Sequence, residues 1–255
     1  MVDDGLLIGV NPIIEKLKTS PEEILVILLA RGNLRPILRS IESDAQRLKI
    51  AIDYLGPKEL DQLTQGENHQ GVLARVQAYS YASFSQLEET VSSAPSPERI
   101  LILDGITDPR NFGAILRTAE AVGVRHIIVP KDRSVGITPA VYKASAGAIS
   151  HLRVYRVVNL RRAVFSLKTK GFWIVGLDAE AKQDYDAQEY PKKLGIVLGG
   201  EGRGIRPLIS KECDYLVRIP MKGKISSLNV SVAGAVLLYE VLRQHDGIHK
   251  DRPVR

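Results

Sequence analysis

The stretch Ile100-Leu-Ile-Leu-Asp-Gly-Ile-Thr-Asp-Pro-Arg-Asn-Phe-Gly-Ala-Ile-Leu-Arg-Thr-Ala-Glu-Ala-Val122 sets the reading of this chain. Its first four residues, Ile100–Leu103, are apolar without alternation, which is how a strand buried on both faces looks. A turn follows, and Asn111–Val122 then places apolar residues at helical spacing. The same order of strand, loop and helix recurs downstream. Further strands are expected at His126–Val129, Leu152–Val157, Phe172–Gly176, Gly195–Leu198 and Tyr215–Ile219. Helices are expected at Pro139–Ala148, Leu160–Lys170, Ile205–Ser210 and Leu228–Arg243. The pattern predicts an α/β domain with a parallel sheet and helices on both faces. In such sheets ligands bind beyond the carboxyl ends of the strands.

The residues upstream predict a second, smaller α/β domain. Asn11-Pro-Ile-Ile-Glu-Lys-Leu starts a helix with Asn11 as cap and Pro12 at the first helical position. Glu23–Leu29 is a buried strand, and Asn33 caps a helix with Leu34, Ile37, Leu38 and Ile41 on one face. Ile50–Asp53 is a short strand, Pro57–Leu63 a short helix, and Gly71–Tyr79 an alternating strand. Residues 81–98 end in Ser92-Ser-Ala-Pro-Ser-Pro97 and show little apolar periodicity after Leu87, which reads as a linker. The expected division is a domain over 1–80, a linker over 81–98, a larger domain over 99–246 and a tail over 247–255.

The chain has 255 residues, with 35 basic and 29 acidic side chains and a formal net charge of +6. At 44% apolar and 25% charged, it is neither disordered, collagen-like nor a coiled coil. The longest apolar run, Ile24–Ala30, is too short to cross a bilayer. The acidic start, Met1-Val-Asp-Asp-Gly, is unlike a secretory signal. One cysteine, Cys213, leaves no intrachain disulfide and no cysteine metal cluster. His69, His126, His151, His245 and His249 show no ligand-like spacing. A cytoplasmic, metal-free protein with no membrane span is expected. Charge is unevenly spread: residues 1–90 carry 9 basic and 13 acidic groups, residues 91–255 carry 26 and 16. The basic region suits a polyanion such as nucleic acid, or simply a soluble basic surface. If the acidic part touches RNA, it needs a local patch. Arg31, Arg35, Arg39, Arg47 and Lys49 could supply one, against Glu42 and Asp44.

Three strand ends carry unusual loops. In the first, Asn111 stands near a helix start and Arg117 lies less than two turns on, roughly 9 Å of rise. An arginine in so apolar a helix must snorkel, pair with Glu120 or Asp108, or do chemistry. The second loop is Val197-Leu-Gly-Gly-Glu-Gly-Arg-Gly-Ile205. Its glycines let backbone approach a ligand closely, or form a plain turn. A dinucleotide fingerprint from Gly200 fails at Ile205, and no phosphate loop of the Walker type is present. Glu201 would repel phosphate, so adenosine or ribose suits this loop better. The third is Ile219-Pro-Met-Lys-Gly-Lys-Ile-Ser-Ser-Leu-Asn-Val-Ser-Val-Ala233. Its Ser226, Ser227 and Asn229 gather at a helix start, where they bind phosphate or cap the helix.

Taken together and in this order, the three loops resemble the signature motifs of SpoU-type enzymes of the SPOUT methyltransferase superfamily. The matching segments are Asp108–Ala119, Leu198–Ile205 and Ile219–Ala233. Ile8-Gly-Val-Asn-Pro-Ile-Ile-Glu-Lys-Leu17 and His69-Gln-Gly-Val-Leu-Ala-Arg-Val76 are similar to the ribosomal-protein-like substrate-binding domain of bacterial large-subunit rRNA guanosine 2′-O-methyltransferases. The resemblance covers all but the linker and the residues after Asp246. It implies a C-terminal trefoil knot in the larger domain and a homodimer packed through that region and the last helix. The small residues Ser231, Ala233, Gly234 and Ala235 suit such packing. It implies S-adenosylmethionine as cofactor, held by Leu198, Gly199, Gly200, Gly202, Ile219, Pro220, Met221, Ser227, Leu228 and Asn229. Large-subunit ribosomal RNA is the implied substrate.

By the same resemblance the catalytic set is Arg117, Asn111, Glu201, Ser227 and Asn229. Family analogy makes Arg117 a base or hydroxyl-positioning group. Arginine stays protonated, so aligning the ribose hydroxyl and the adjacent phosphate is the better role. The proton then leaves to a phosphate oxygen or water. Asn111 would orient Arg117 or the ribose, Glu201 would hold substrate or Arg117, and Ser227 and Asn229 would bind the target phosphate. Arg110 lies near enough to touch RNA. Two other readings stand: a 2′-O-methyltransferase for tRNA or an rRNA adenosine, and a non-catalytic RNA-binding or ribosome assembly factor.

Overall fold

The computed structural model describes residues 5–93, 98–225 and 227–246. Two compact units are present. One comprises residues up to Ser80 together with Gly136–His151; the other comprises Tyr81–Val135 and the chain from Leu152 onward.

The first unit holds β1 (Leu6–Ile8), α1 (Val10–Thr19), β2 (Ile24–Ala30), α2 (Pro36–Arg47), β3 (Ala51–Leu55), α3 (Pro57–Thr64) and β4 (Val72–Val76). The four strands form a mixed sheet in the order β1-β4-β2-β3, with only β2 and β3 parallel. Leu6, Ile8, Leu28, Leu60 and Leu73 form one of its apolar clusters. Three local expectations change. β1 was not foreseen. α1 is capped by Gly9 at φ 94° rather than by Asn11, which lies inside the helix. α2 starts at Pro36 after Arg35, not at Asn33.

The segment Gly136–His151, read above as part of the larger domain, packs within this first unit. It contains a short helix (Pro139–Ala144, named α6 below in chain order) and a 3-10 turn (Ala148–His151). His151 Nε2 lies 2.6 Å from a Glu15 carboxylate oxygen, and Lys143 donates to Glu67 at 2.8 Å. Gly147, at φ 92°, turns the chain where a Cβ would meet the Glu15 side chain. These are long-range contacts that local periodicity does not encode.

The second unit holds α4 (Phe84–Ser93), β5 (Glu98–Asp104), α5 (Pro109–Ala121), β6 (His126–Pro130), β7 (Arg153–Val157), α7 (Leu160–Thr169) and β8 (Trp173–Leu177). It continues through β9 (Gln183–Asp184), β10 (Lys193–Gly199), α8 (Pro207–Ser210), β11 (Tyr215–Arg218) and α9 (Val230–Asp246). Its seven strands are all parallel, in the order β7-β6-β5-β10-β8-β11-β9. The parallel sheet expected from the apolar runs is therefore present, and β5 and β10 are fully buried at its centre for most of their length.

The linker reading of 81–98 fails at α4. Phe84, Leu87 and Val91 follow the spacing i, i+3, i+7 of one helix face. Leu87 and Val91 are fully buried against Ile100, Ile102, Tyr155 and Leu167. Residues 94–97, the Pro-Ser-Pro part of the expected linker, and the expected tail lie outside the described residues. No helix among the described residues is long and apolar enough to cross a membrane.

Candidate active site

The site grows from the carboxyl ends of β5, β8, β10 and β11. After β5 the chain turns, and Asp108 caps α5 by accepting from Arg110 N at 2.6 Å, with Pro109 at the first helical position. That cap places Asn111 in the first turn of α5. After β10 the chain makes a closed loop: Gly204 N donates to Gly200 O at 3.0 Å. Gly202 and Gly204 have φ of 75° and 62°, conformations that side chains rarely adopt. Gly199 and Gly200 are glycines for a different reason, space. A Cβ on Gly199 would fall inside the backbone of Gly204, and one on Gly200 would strike the Gly105 carbonyl.

The start of α9 completes the constellation. Asn229 Oδ1 accepts from Ser231 N at 2.9 Å and from Ser231 Oγ at 2.6 Å, which is helix capping. Its amide nitrogen is left to reach across, and donates to Asn111 Oδ1 at 2.9 Å. Asn111 Nδ2 in turn donates to Glu201 Oε1 at 2.5 Å. Glu201, Asn111, Asn229 and Ser231 thus form one hydrogen-bonded row across three separate loops. The two ends of the Asn229 amide thus do different things: the oxygen caps α9 and the nitrogen joins α9 to Asn111.

A cavity of about 630 Å³ opens beside this row, within the usual range for small-molecule sites. Of the ten residues expected to hold a cofactor, Leu198, Gly199, Gly200, Gly202, Ile219, Met221, Ser227, Leu228 and Asn229 line it. Pro220 does not. Glu201, Arg203, Gly204, Val230 and Ala233 line it as well. The sequence reading missed Leu177, Asp178, Ala179 and Glu180, which form its wall beyond β8. The available signal was their position just past a parallel strand's carboxyl end. Ser226 lies outside the described residues.

The lining combines backbone of the glycine loop, apolar faces of Leu177, Leu198 and Ile219, and the carboxylates Asp178, Glu180 and Glu201. Close backbone approach and net negative lining fit a cationic nucleoside better than a phosphate-rich one. Arg117 and Asn111 are not part of this lining. Arg117 is exposed on α5 and makes no hydrogen bond or ion pair among the described residues, to Glu120, Asp108 or any other group. Glu201, expected to hold substrate or Arg117, accepts from Asn111 instead of from Arg117.

Gly234 of α9, assigned above to packing between subunits, has an intrachain reason to be small. A Cβ there would come within 2.6 Å of Leu198 Cδ1. In the first unit, Arg31 Nε donates to Tyr54 O at 2.8 Å, Arg35 Nη2 to Gln70 O at 2.5 Å, and Arg39 to Leu34 O and Asn33 Oδ1 at 3.1 and 2.7 Å. Those partners are uncharged. Arg47, by contrast, is paired with Asp44 at 2.9 Å.

The model of the SpoU rRNA Methylase family matches residues 98–239, more than half of the chain. The chain belongs to the SpoU rRNA methylase family. Residues 6–82 match a second model, the substrate-binding domain of RNA 2′-O ribose methyltransferases. YacO of Bacillus subtilis (strain 168), named as a TrmH family tRNA/rRNA methyltransferase, is 41% identical, covering 95% of this chain and 96% of its own. The 23S rRNA (guanosine-2′-O-)-methyltransferase RlmB of Xylella fastidiosa is 40% identical, covering 93% and 96%. Among solved structures, an RNA 2′-O ribose methyltransferase superposes with a TM-score of 0.77 at 28% identity, covering 94% of this chain and 88% of that one. The SpoU methyltransferase AviRb of Streptomyces viridochromogenes, crystallised with AdoMet, shares the fold with a TM-score of 0.80 at 24% identity, covering 94% and 89%. Like its family, this SpoU protein is an RNA methyltransferase.

Proposed function

We propose that this protein methylates the ribose 2′-hydroxyl of one guanosine in large-subunit ribosomal RNA, with S-adenosylmethionine as methyl donor. The observation that carries the reading is the row Glu201–Asn111–Asn229 along the rim of a cavity lined by glycine-loop backbone. The 40% identity to an enzyme named for guanosine 2′-O-methylation of 23S rRNA, over nearly the whole of both chains, favours large-subunit rRNA and guanosine. The substrate-binding match over residues 6–82 supports RNA as partner of the first unit.

The cofactor, when bound, supplies an electrophilic methyl group on a sulfonium. Leu198–Gly202, Ile219, Met221 and Ser227–Asn229 are the residues that would hold it. What this chain must add is a hydroxyl that is aligned and relieved of its proton. Arg117, unpaired among the described residues and permanently charged, aligns the hydroxyl through the adjacent phosphate. The proton leaves to a phosphate oxygen or water. Glu201 and Asn229 fix the Asn111 amide from both sides, so Asn111 presents a set orientation to the ribose. Ser227 takes part in binding the target phosphate. In the first unit, Arg31, Arg35 and Arg39 meet RNA with charge that no carboxylate among the described residues pairs with.

The active form is a homodimer built through a knotted larger domain. Val232 and Tyr239, seven residues apart on α9, are 50% and 54% exposed, and Leu228 before them is 38% exposed, an apolar stripe suited to a second copy. The test is transfer of labelled methyl from S-adenosylmethionine to unmodified large-subunit rRNA, beside Arg117→Ala. One position resistant to alkaline cleavage, lost in the variant, is the expected result. Transfer to tRNA or to an adenosine instead would replace the substrate assignment. Cofactor binding without transfer to any RNA would favour a non-catalytic assembly factor.

A further inference from the structure

We propose that Asp104 and Arg206, neither of which lines the cavity, form a positioning clamp that holds the glycine loop in its cofactor-binding shape. The inference rests on the reading that the cavity takes S-adenosylmethionine. Asp104 is the last residue of β5 and lies in register with Gly199 of β10. Its side chain is fully buried. One carboxylate oxygen accepts from Arg206 Nε at 2.6 Å and faces Arg206 Nη2 at 2.6 Å; the other accepts from Arg206 N at 2.8 Å. The Asp104 carbonyl accepts from Gly200 N at 2.9 Å. A single residue therefore ties down both ends of the loop, Gly200 at its start and Arg206 at its end.

Between these ties the tip is held by the Gly204 N to Gly200 O bond and by the contact of Glu201 with Asn111. Glu201, Gly202 and Arg203 are exposed, and Gly202 and Gly204 have open space where a Cβ would stand. Yet this tip forms part of the cavity wall and carries Glu201 to Asn111. Gly199 and Gly204 are packed so closely that no Cβ fits between them, so the loop keeps this shape only while Gly204, two residues from Arg206, stays in place. Two guanidinium nitrogens converge on one carboxylate oxygen while the Arg206 backbone holds the other, a charge-assisted arrangement that a lysine reproduces only in part.

Removing Asp104 would strip a buried structure of its acceptor and risks the fold. Arg206 is the better handle, since its side chain is 42% exposed and Asp104 keeps the backbone bond when it is replaced. Arg206→Gln is expected to weaken S-adenosylmethionine binding about tenfold by calorimetry, with the KM for cofactor rising equally and the KM for RNA unchanged. Arg206→Lys restores part of the loss. Amide exchange at Gly200 and Gly204 should accelerate in Arg206→Gln without any cofactor present. Arg161→Gln, which breaks an exposed ion pair with Glu212, serves as control and leaves cofactor affinity unaltered. Wild-type affinity and unchanged loop exchange in Arg206→Gln would overturn the clamp alone. A wild-type protein that binds no S-adenosylmethionine would overturn the functional reading, and the clamp's role with it.

Discussion

Asn111 and Glu201, ninety residues apart in the chain, share a hydrogen bond of 2.5 Å that joins the first turn of α5 to the glycine loop. The bond is charge-assisted, and the opposite end of the same amide is held by Asn229 at 2.9 Å. An amide gripped from both sides cannot flip. Glu201→Gln keeps the shape and removes the charge. It is expected to lower the methyl-transfer rate about 10-fold, from the ~1.5 kcal/mol worth of a charged hydrogen bond at an exposed site. Asn111→Asp sets a carboxylate against Glu201 and should cost more. Single-turnover rates with saturating cofactor separate the two.

Arg117 is expected to be irreplaceable by lysine. An ammonium keeps the charge but loses the planar fork that grips a phosphate and a hydroxyl together. Arg117→Lys should lose at least 100-fold in turnover, about 2.7 kcal/mol of transition-state binding, while cofactor affinity stays at the wild-type value. Calorimetry beside methyl-transfer kinetics checks both halves. Substantial retained turnover would remove Arg117 from the mechanism.

The glycines of the loop should respond differently to alanine. Gly199→Ala has no space for its Cβ and must displace the Gly204 backbone, so cofactor binding is expected to disappear. Gly202→Ala meets nothing within 4 Å and suffers only from its φ of 75°, a cost of about 1 kcal/mol. Cofactor affinity of the two variants, with thermal unfolding as the control for folding, tests the distinction.

His126 predicts a pH dependence of stability. It is buried, 2.8 Å from the Tyr155 hydroxyl, and burial first, then Arg153 and Arg125, push its pKa from 6.5 down to about 4. The neutral form is the one that folds. Its contribution is complete above pH 6.5 and is lost as pH falls toward 4, on the order of 2–3 kcal/mol in all. Denaturant unfolding between pH 4 and 7 should show this slope, and His126→Gln should flatten it.

Arg31, Arg35 and Arg39 are expected to carry the salt-sensitive part of RNA binding by the first unit. Replacing all three by glutamine should flatten the slope of log affinity against log salt by about 2, while leaving cofactor affinity unchanged. Titration of the rRNA across a salt series reads both the affinity and the slope.

Much of the fold was legible in the sequence. The apolar runs at Ile100–Leu103 and Gly195–Leu198 have no polar alternation, and they lie at the centre of the parallel sheet, buried on both faces. The helix face of Phe84, Leu87 and Val91 was also present, but a neighbouring Ser-Pro-rich composition outweighed three apolar residues. Nine of the ten expected cofactor residues line one cavity, because they lie just beyond the carboxyl ends of neighbouring parallel strands or at the start of the last helix.

The residues alone determined most element types, the parallel sheet and the segments from which a site would be built, with β1 and α4 as exceptions. Those are local matters, set by periodicity and backbone freedom within a few residues. Only the tertiary structure decided that Asn111 bonds to Glu201 rather than Arg117 to Glu201, that Asp104 meets Arg206, and that Gly136–His151 packs with the first unit. Each depends on which strand ends lie side by side. Strand order places β5 next to β10, and no property of either segment taken alone specifies that neighbour.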